Sequence, residues 1–321
     1  MRKLLVPAIW CAVSVLWLAT ASMLLSHIWT EGSIGWALDL LSHWPKHLAL
    51  AGLAVGVLAA VRRNRLAAGA AIAVASLNSA LVLGLGSFAL PQKAPDGARL
   101  VRIVSANVHQ SMEALERVTE LARSYDADIV AVYEVPPDLT NAQFAAMLPD
   151  LQMRATPRPA KPPPAWLSDR DPTYDSALAV RRAATIETGF YDGSRGVLMS
   201  SFFSGVRITT THPPSPGDPD AMFDRDRQLS DIATGIDTAA PFIIAGDFNA
   251  TPWGRIYDVV PGARAGDPRL EGTFPGFLGP LGLPIDHIRF GGGLVLTDYQ
   301  VGPDIGSDHL PLFATFALPE R

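Results

Sequence analysis

Long apolar runs without a charge fill most of the first ninety positions and restrict what this chain can fold into. Leu4–Leu25 is such a run of 22 residues and Leu66–Leu90 is one of 25, with the shorter His47–Val61 between them. The hydrocarbon core of a membrane, about 30 Å thick, needs roughly 20 helical residues. The two long runs meet this length. The middle run is marginal alone, but a tight hairpin through residues 62–65 would let it cross the membrane together with the third run. We therefore predict three transmembrane helices within residues 1–90. Buried helices of a soluble protein are the alternative, but uncharged runs this long are rare there.

Basic residues indicate which way this anchor is oriented. Arg2 and Lys3 precede the first run, and an arginine cluster at 62–65 separates the second run from the third. Because Lys and Arg favour the cytoplasmic side, the chain is predicted to start inside and to return inside at 62–65. Everything after about residue 91 is then exposed on the periplasmic or extracellular side of the cytoplasmic membrane. The sequence A-T-A at 19–21 also resembles a signal-peptide cleavage site, and cleavage there would equally export the rest.

The remainder of the chain has a different composition. Residues 91–98 form a polar linker punctuated by Pro and Gly, and residues 99–321 form a predicted catalytic domain. Residues 91–321 contain 20 basic and 29 acidic side chains, a net charge near −9. The only cysteine, Cys11, lies in the first apolar run, so the exported domain is predicted to fold without disulfides.

Short apolar runs, several of them β-branched, recur through residues 99–321 and indicate strands. They are Leu100–Ser105, Asp128–Tyr133, Ser176–Val180, Val197–Phe203, Val206–Thr211, Pro241–Ala245, His287–Phe290 and Leu312–Ala317. A helical pattern between two of them, Met112–Tyr125, places Leu115, Val118 and Leu121 on one face, and a second helix is predicted at Arg225–Thr234. Many strands with a few helices predict an α/β fold, a four-layer sandwich of two packed mixed sheets flanked by helices. The proline-rich segment Thr156–Pro172, which contains Trp166, is predicted to be a surface loop that shapes access to the site.

Polar side chains stand at the ends of the predicted strands. Eight residues share this position: Asn107, Glu134, His212, Asp247, Asn249, Asp286, Asp308 and His309. Carboxylate and amide oxygens are the ligands that Mg²⁺ prefers, and histidines transfer protons near neutral pH. Zinc is less favoured because neither His-x-x-x-His nor paired cysteines occur within residues 99–321. Each motif alone has a simpler explanation; Asp-x-Asn after a strand, for example, is often only a turn.

Six motifs follow one another in a characteristic order. They are S-A-N-V at 105–108, V-Y-E-V at 132–135, T-H-P at 211–213, G-D-F-N at 246–249, I-D-H-I at 285–288 and G-S-D-H-L-P at 306–311. In this order they resemble the endonuclease/exonuclease/phosphatase superfamily across 99–321. The resemblance implies a metal-dependent hydrolase of phosphoric esters or anhydrides. With its anchor, the chain is similar to the membrane proteins linked to teicoplanin resistance, which act on undecaprenyl pyrophosphate.

The resemblance also implies a metal site. Glu134 would be the principal ligand of Mg²⁺, for which Mn²⁺ is a possible substitute, with Asn107 beside it and Asp308 completing or sharing the site. Tyr174 or Asp175 would reach the phosphate, although this part of the sequence matches the family loosely.

The remaining site residues receive catalytic roles from the same resemblance. Asp247 and Asn249 would position the attacking water and hold the phosphoryl oxygens. His309 would be the general base, oriented by Asp286, and His212 would stabilise the transition state. The two other histidines of the domain, His109 and His287, are interpreted as local structure.

The charge and the anchor narrow the substrate. A nuclease normally presents a basic surface to the phosphate backbone, whereas residues 91–321 are acidic and have only Lys93 and Lys161 as lysines. We therefore expect a phosphatase of a lipid-linked polyprenyl pyrophosphate at the outer face of the membrane. A phosphodiesterase, either of sphingomyelinase or phospholipase C type or an exported nuclease, is the alternative. A catalytically silent adaptor is a third interpretation, against which the complete set of ligands argues.

Overall fold

The computed structural model describes residues 2–84, 88–137, 139–155, 176–181, 186–190 and 197–319. The predicted loop Thr156–Pro172 and the residues Tyr174 and Asp175 lie outside these ranges. The chain forms two compact units, Met1–Gly86 with Thr251–Tyr257 and Ser87–Ala250 with Asp258–Arg321.

Four helices build the first unit: α1 (Arg2–Leu25), α2 (Gly32–Ser42), α3 (Pro45–Val61) and α4 (Arg65–Leu83). Of these, α1 and α4 are long and apolar enough to cross a membrane, and α2 with α3, bent by 67°, qualify together as one broken span. The helices pack closely because small residues line their contacts; a Cβ on Gly52 would lie 2.9 Å from the backbone nitrogen of Ala75. The Asn78 amide of α4 donates a hydrogen bond to Thr20 of α1 at 2.8 Å.

The third predicted run is longer than the helix that it forms. Helix α4 ends at Leu83, and Phe88–Ala89 is already a strand of the sheet that follows. An uncharged sequence does not distinguish a helix from a buried strand, so the apolar pattern alone extended the prediction to Leu90.

A polar cluster ties α2 to the segment Thr251–Tyr257 within the first unit. His43 at the end of α2 is buried, and its Nδ1 lies 2.9 Å from the Thr251 hydroxyl and accepts the Thr251 N–H at 3.3 Å. The other ring nitrogen, Nε2, lies 3.4 Å from the carboxylate of Asp39. This chain of contacts fixes the imidazole between a buried carboxylate and the segment.

The second unit is built on two mixed sheets. Their strands are β1 (Phe88–Ala89), β2 (Leu100–Asn107), β3 (Ile129–Tyr133), β4 (Leu151–Ala155), β5 (Ser176–Arg181), β6 (Ile186–Phe190), β7 (Val197–Phe203), β8 (Val206–His212), β9 (Phe242–Asp247), β10 (Ala263–Ala265), β11 (Asp286–Gly291), β12 (Val295–Val301) and β13 (Leu312–Ala317). One sheet has the order β1-β10-β11-β9-β8-β7-β6 and the other β12-β13-β2-β3-β5-β4. The pairs β2/β3 and β8/β9 are parallel, and their neighbours β13/β2 and β11/β9 are antiparallel.

Alternation along the strands creates a core on each face of a sheet. In β2, Val101 and Ile103 join the core between the two sheets, whereas Val104 and Ala106 face the core under the helices. That second core is covered by α5 (Met112–Ser124) and α6 (Asn141–Met147). Helix α7 (Pro219–Gly235) bonds to β8 of the other sheet through Gln228 Nε2 and the Thr211 hydroxyl, 2.7 Å apart. The predicted α/β sandwich is thus confirmed.

Candidate active site

The strand ends bring the polar residues to one edge of the second unit. In the register of the parallel pair β2/β3, Asn107 lies opposite Tyr133, so Glu134 follows directly beside it. In the other sheet, Thr211 lies opposite Gly246 and Asp286 lies opposite Asp247.

Asn107 connects carboxylates that belong to different sheets. Its side-chain nitrogen donates to Glu134 Oε1 at 2.8 Å and to Asp247 Oδ2 at 3.1 Å. Its oxygen accepts the backbone N–H of His109 at 2.9 Å. Glu134 itself has a left-handed backbone with φ 50°, a strained conformation that is typical of functional positions.

His212 lies between the same two carboxylates. Its Nε2 is 3.7 Å from both Glu134 Oε1 and Asp247 Oδ2. The ring is buried, and its Nδ1 has no hydrogen-bond partner among the described residues. One ligand atom from each of these three side chains lies within 4.8 Å of the others, so the group can hold a metal ion.

His309 and Asp286 form a second buried group around Asp247. His309 Nδ1 is 2.8 Å from Asp286 Oδ2, and its Nε2 is 3.7 Å from Asp247 Oδ2. The Phe274 ring lies against the imidazole with centroids 4.8 Å apart. One ligand atom from each of Asp247, Asp286 and His309 also meets within 4.8 Å, which gives a second arrangement able to bind a cation.

The charges of this group shift the pKa of two members. Burial alone lowers the pKa of His309, but the carboxylates of Asp286 and Asp247 outweigh it and raise that pKa to about 10. Burial, and then the neighbouring Asp286, raise the pKa of Asp247 to about 6. Without a bound cation, His309 therefore carries a proton at neutral pH, whereas the resemblance to the family implies a general base at this position.

His109, which the sequence analysis set aside, approaches two predicted metal ligands. Its Nδ1 lies 3.4 Å from Asp308 Oδ1 and 3.6 Å from Glu134 Oε2. His109 and Gln110 have consecutive positive φ angles of 46° and 56°, and the carbonyl of Glu134 accepts the Gln110 N–H at 2.7 Å. The one sequence feature that could have placed His109 near the site is its position two residues after Asn107.

Asn249 adopts a turn rather than the continuation of a strand. Its φ is 49°, and its N–H donates to Asp247 Oδ1 at 2.9 Å. Its side-chain nitrogen donates to the carbonyl of Pro213, next to His212. The carbonyl of Asn249 accepts a hydrogen bond from Arg225 of α7 at 3.1 Å. The D-x-N motif therefore forms a turn, which is its simpler explanation, and this turn also lies beside the site.

His287 is engaged elsewhere. Its Nδ1 accepts from Arg264 Nε at 3.1 Å, and its Nε2 lies 2.8 Å from the carbonyl of Ala250. Burial, followed by the charge of Arg264, lowers the pKa of His287 well below its ordinary value. A nitrogen that accepts from a guanidinium cannot carry a proton, so the ring is neutral.

Comparison with known proteins agrees with this arrangement. Residues 104–309 match the model of the Endonuclease/Exonuclease/phosphatase family. No curated protein sequence matches the chain. Among solved structures, humanised TDP2 of D. rerio is 16% identical, with a TM-score of 0.51 over 68% of this chain and 99% of that one. An AP endonuclease of Archaeoglobus fulgidus is 15% identical, with a TM-score of 0.52 over 67% and 98%. A protein of Beutenbergia cavernae described as an endonuclease/exonuclease/phosphatase is 16% identical, with a TM-score of 0.51 over 68% and 72%.

Proposed function

Because this chain belongs to the endonuclease/exonuclease/phosphatase family, whose members are metal-dependent phosphoester hydrolases, we propose that it hydrolyses a lipid-linked polyprenyl pyrophosphate. The observation that carries this proposal is a buried, acidic phosphoesterase site in a chain that also has helices able to span a membrane. The domain is net acidic, whereas a nuclease normally presents a basic surface to nucleic acid, and the anchor is similar to that of the proteins linked to teicoplanin resistance.

The donor set of the site fits a divalent cation, and we assign Mg²⁺. Glu134, His212 and Asp247 supply two carboxylates and an imidazole, and the half-buried Asp308 lies near Glu134, with one oxygen of each close to Nδ1 of His109. A bound dication neutralises charge on phosphoryl oxygens. Mn²⁺ suits the same ligands, since it accepts both oxygen and imidazole nitrogen.

The protein side chains then supply positioning and proton transfer. Asp286 holds the His309 imidazole at 2.8 Å, so the Nε2 of that ring is fixed toward Asp247. The protonated ring can donate to a phosphoryl oxygen; once the surrounding carboxylates are neutralised, its pKa falls and it can accept a proton from water. Asn107 holds the carboxylates of Glu134 and Asp247 in position by donating to both, and His212 lies beside the same two oxygens.

The site is proposed to face the outside of the cytoplasmic membrane. Helix α2 and Thr251–Tyr257 share one compact unit, and this segment follows Asn249 in the chain. Between α2 and this segment, the chain passes through α3 and α4. Because α2 and the segment then lie on the same side of the membrane, this supports one crossing by α3 and one crossing back by α4. The arginines between these helices support a cytoplasmic position for that turn, and hence three crossings in all.

Phosphate release tests the proposed function. Full-length protein in detergent with Mg²⁺ should release inorganic phosphate from undecaprenyl pyrophosphate, and EDTA should stop the reaction. Glu134→Gln and His309→Ala should each lower kcat about 10²–10⁴-fold, whereas the exposed Asp258→Asn serves as a control. Release of phosphocholine from sphingomyelin, or cleavage of DNA, without phosphate from the polyprenyl substrate would contradict the proposal.

A further inference from the structure

An uncharged segment with exposed apolar side chains adjoins the candidate active site. No charged residue occurs in the 14 positions between Glu271 and Asp286. Within them, Phe277, Leu278 and Leu281 expose 86%, 40% and 53% of their surface. Exposed apolar groups clustered in this way usually mark a site of interaction.

The backbone of this segment holds these side chains outward. Phe274 and Leu283 pair as an isolated bridge that closes its base, with the Phe274 N–H donating to the carbonyl of Leu283 at 3.0 Å. Inside the loop, Leu278 N–H bonds to the carbonyl of Pro275 at 3.0 Å and Gly282 N–H to that of Gly279 at 2.9 Å. We call Pro275–Gly282 the apolar rim. Its exposure belongs to a closed, internally bonded loop rather than to a frayed end.

The apolar rim is joined to the loop that carries the catalytic histidine. The Gly276 N–H donates to the carbonyl of Asp308 at 2.6 Å, and the Leu310 N–H donates to the carbonyl of Thr273 at 3.0 Å. These bonds bracket His309, whose ring the Phe274 side chain contacts. The part of a substrate that binds on the apolar rim therefore lies next to the part that reacts at His309.

We propose that the apolar rim binds the hydrocarbon chain of the lipid substrate, adjacent to its pyrophosphate. The inference rests on the proposed function and adds a determinant of chain-length preference to it. A segment without charge offers no cation to phosphates or to the backbone of a nucleic acid, whereas a hydrocarbon chain gains by covering exposed Phe and Leu. Helices α1 and α4 are apolar enough to hold the protein in a membrane, where such a chain is available.

Substrates that share a headgroup and differ in chain length test the rim. Full-length protein in detergent is assayed with isopentenyl, farnesyl and undecaprenyl pyrophosphate. The double variant Phe277→Ser/Leu281→Ser should lose at least about tenfold in kcat/KM for undecaprenyl pyrophosphate, or about 1.4 kcal/mol, mainly through KM. Its kcat/KM for isopentenyl pyrophosphate should equal that of the wild type. The control is Phe202→Ser. Phe202 is 57% exposed and pairs with Arg207 near one end of β7, whereas Val197 at the other end pairs with His212 of the site.

The outcomes separate the rim from the chemistry. An equal loss on all three substrates would overturn the inference, because the rim would then only position the histidine loop. Unchanged kinetics on undecaprenyl pyrophosphate would overturn it as well. Failure of the wild type to release phosphate from any of the three would instead contradict the proposed function itself.

Discussion

At the scale of single residues, His309 is a histidine whose charge depends on its carboxylate neighbours. It contacts Asp286 directly and lies 3.7 Å from Asp247, both of them buried. Its folded-state pKa of about 10 lies above the ordinary value of 6.5. The stabilisation that this proton provides is therefore complete below pH 6.5 and is lost as the pH rises towards 10.

We expect this loss to be measurable in metal-free protein. In EDTA, the thermal unfolding temperature should fall between about pH 6.5 and 10. His309→Gln should flatten this dependence, because glutamine does not titrate. His27→Gln, an exposed histidine of the first unit, should leave the slope as in the wild type. A slope unchanged in His309→Gln would show that other groups control the dependence.

His109 provides a second test at this scale. Its nitrogen lies near oxygens of both Asp308 and Glu134, so a small movement would let all three meet one ion. Imidazole suits Mn²⁺ better than Mg²⁺. We expect His109→Ala to weaken Mn²⁺ binding about tenfold and Mg²⁺ binding less, as measured by titration calorimetry. Equal loss for both ions, or a similar loss in the His27→Ala control, would argue against a role in ligation.

The sequence indicated which residues end the strands but not how they are oriented. The prediction placed Asp247 and Asn249 near one site, and the positive φ of Asn249 is a consequence of bonds to Asp247, Pro213 and Arg225. The position of His109 beside the site was missed because it, too, depends on contacts that form only in the folded protein. Its neighbours are 25 and 199 positions away along the chain, so only the folded sheets bring them together.

At the scale of elements, strongly patterned segments were predictable and short or irregular ones were not. Val197–Phe203 and Leu312–Ala317 have the predicted bounds. Strand β10 was missed because it has three residues, and β12 because most of its side chains are partly exposed. Helix α7 begins at Pro219, six residues before the prediction, since Asp218 caps it and proline is favoured in the first turn.

Gly246 shows how an element positions the site. A Cβ at this position would collide with the carbonyl oxygen of Thr211 on β8. Gly246→Ala should therefore separate β8 from β9 and move Asp247 away from His212. We expect a loss of about 1–3 kcal/mol in unfolding free energy together with a lower kcat. Gly235→Ala is the control, because a Cβ there meets nothing within 4 Å. Equal stability of the two variants would contradict this explanation.

At the scale of the whole molecule, the proposed substrate rests on two properties together, the apolar N-terminal helices and the acidic charge of the rest of the chain. Charge and apolar length were readable from the sequence, because neither depends on tertiary contacts. The bend of 67° between α2 and α3 could not be read from the sequence, and under the proposed topology α3, with 17 residues, is the second crossing. The cluster of Asp39, His43 and Thr251 supports a position of α2 on the same side as the segment after Asn249.

Reporter fusions test this arrangement of crossings. Alkaline phosphatase fused after Pro95 should be active and green fluorescent protein fused there should be dark, because the first reporter needs export and the second needs the cytoplasm. Fusions after Asn64, between α3 and α4, should give the reverse, since the arginines around it favour the cytoplasmic side. A fusion after Trp29, ahead of α2, should behave like the fusion after Pro95. Fluorescence after both Trp29 and Pro95 would reverse the orientation, and opposite results at these two positions would mean that α3 and α4 do not both cross.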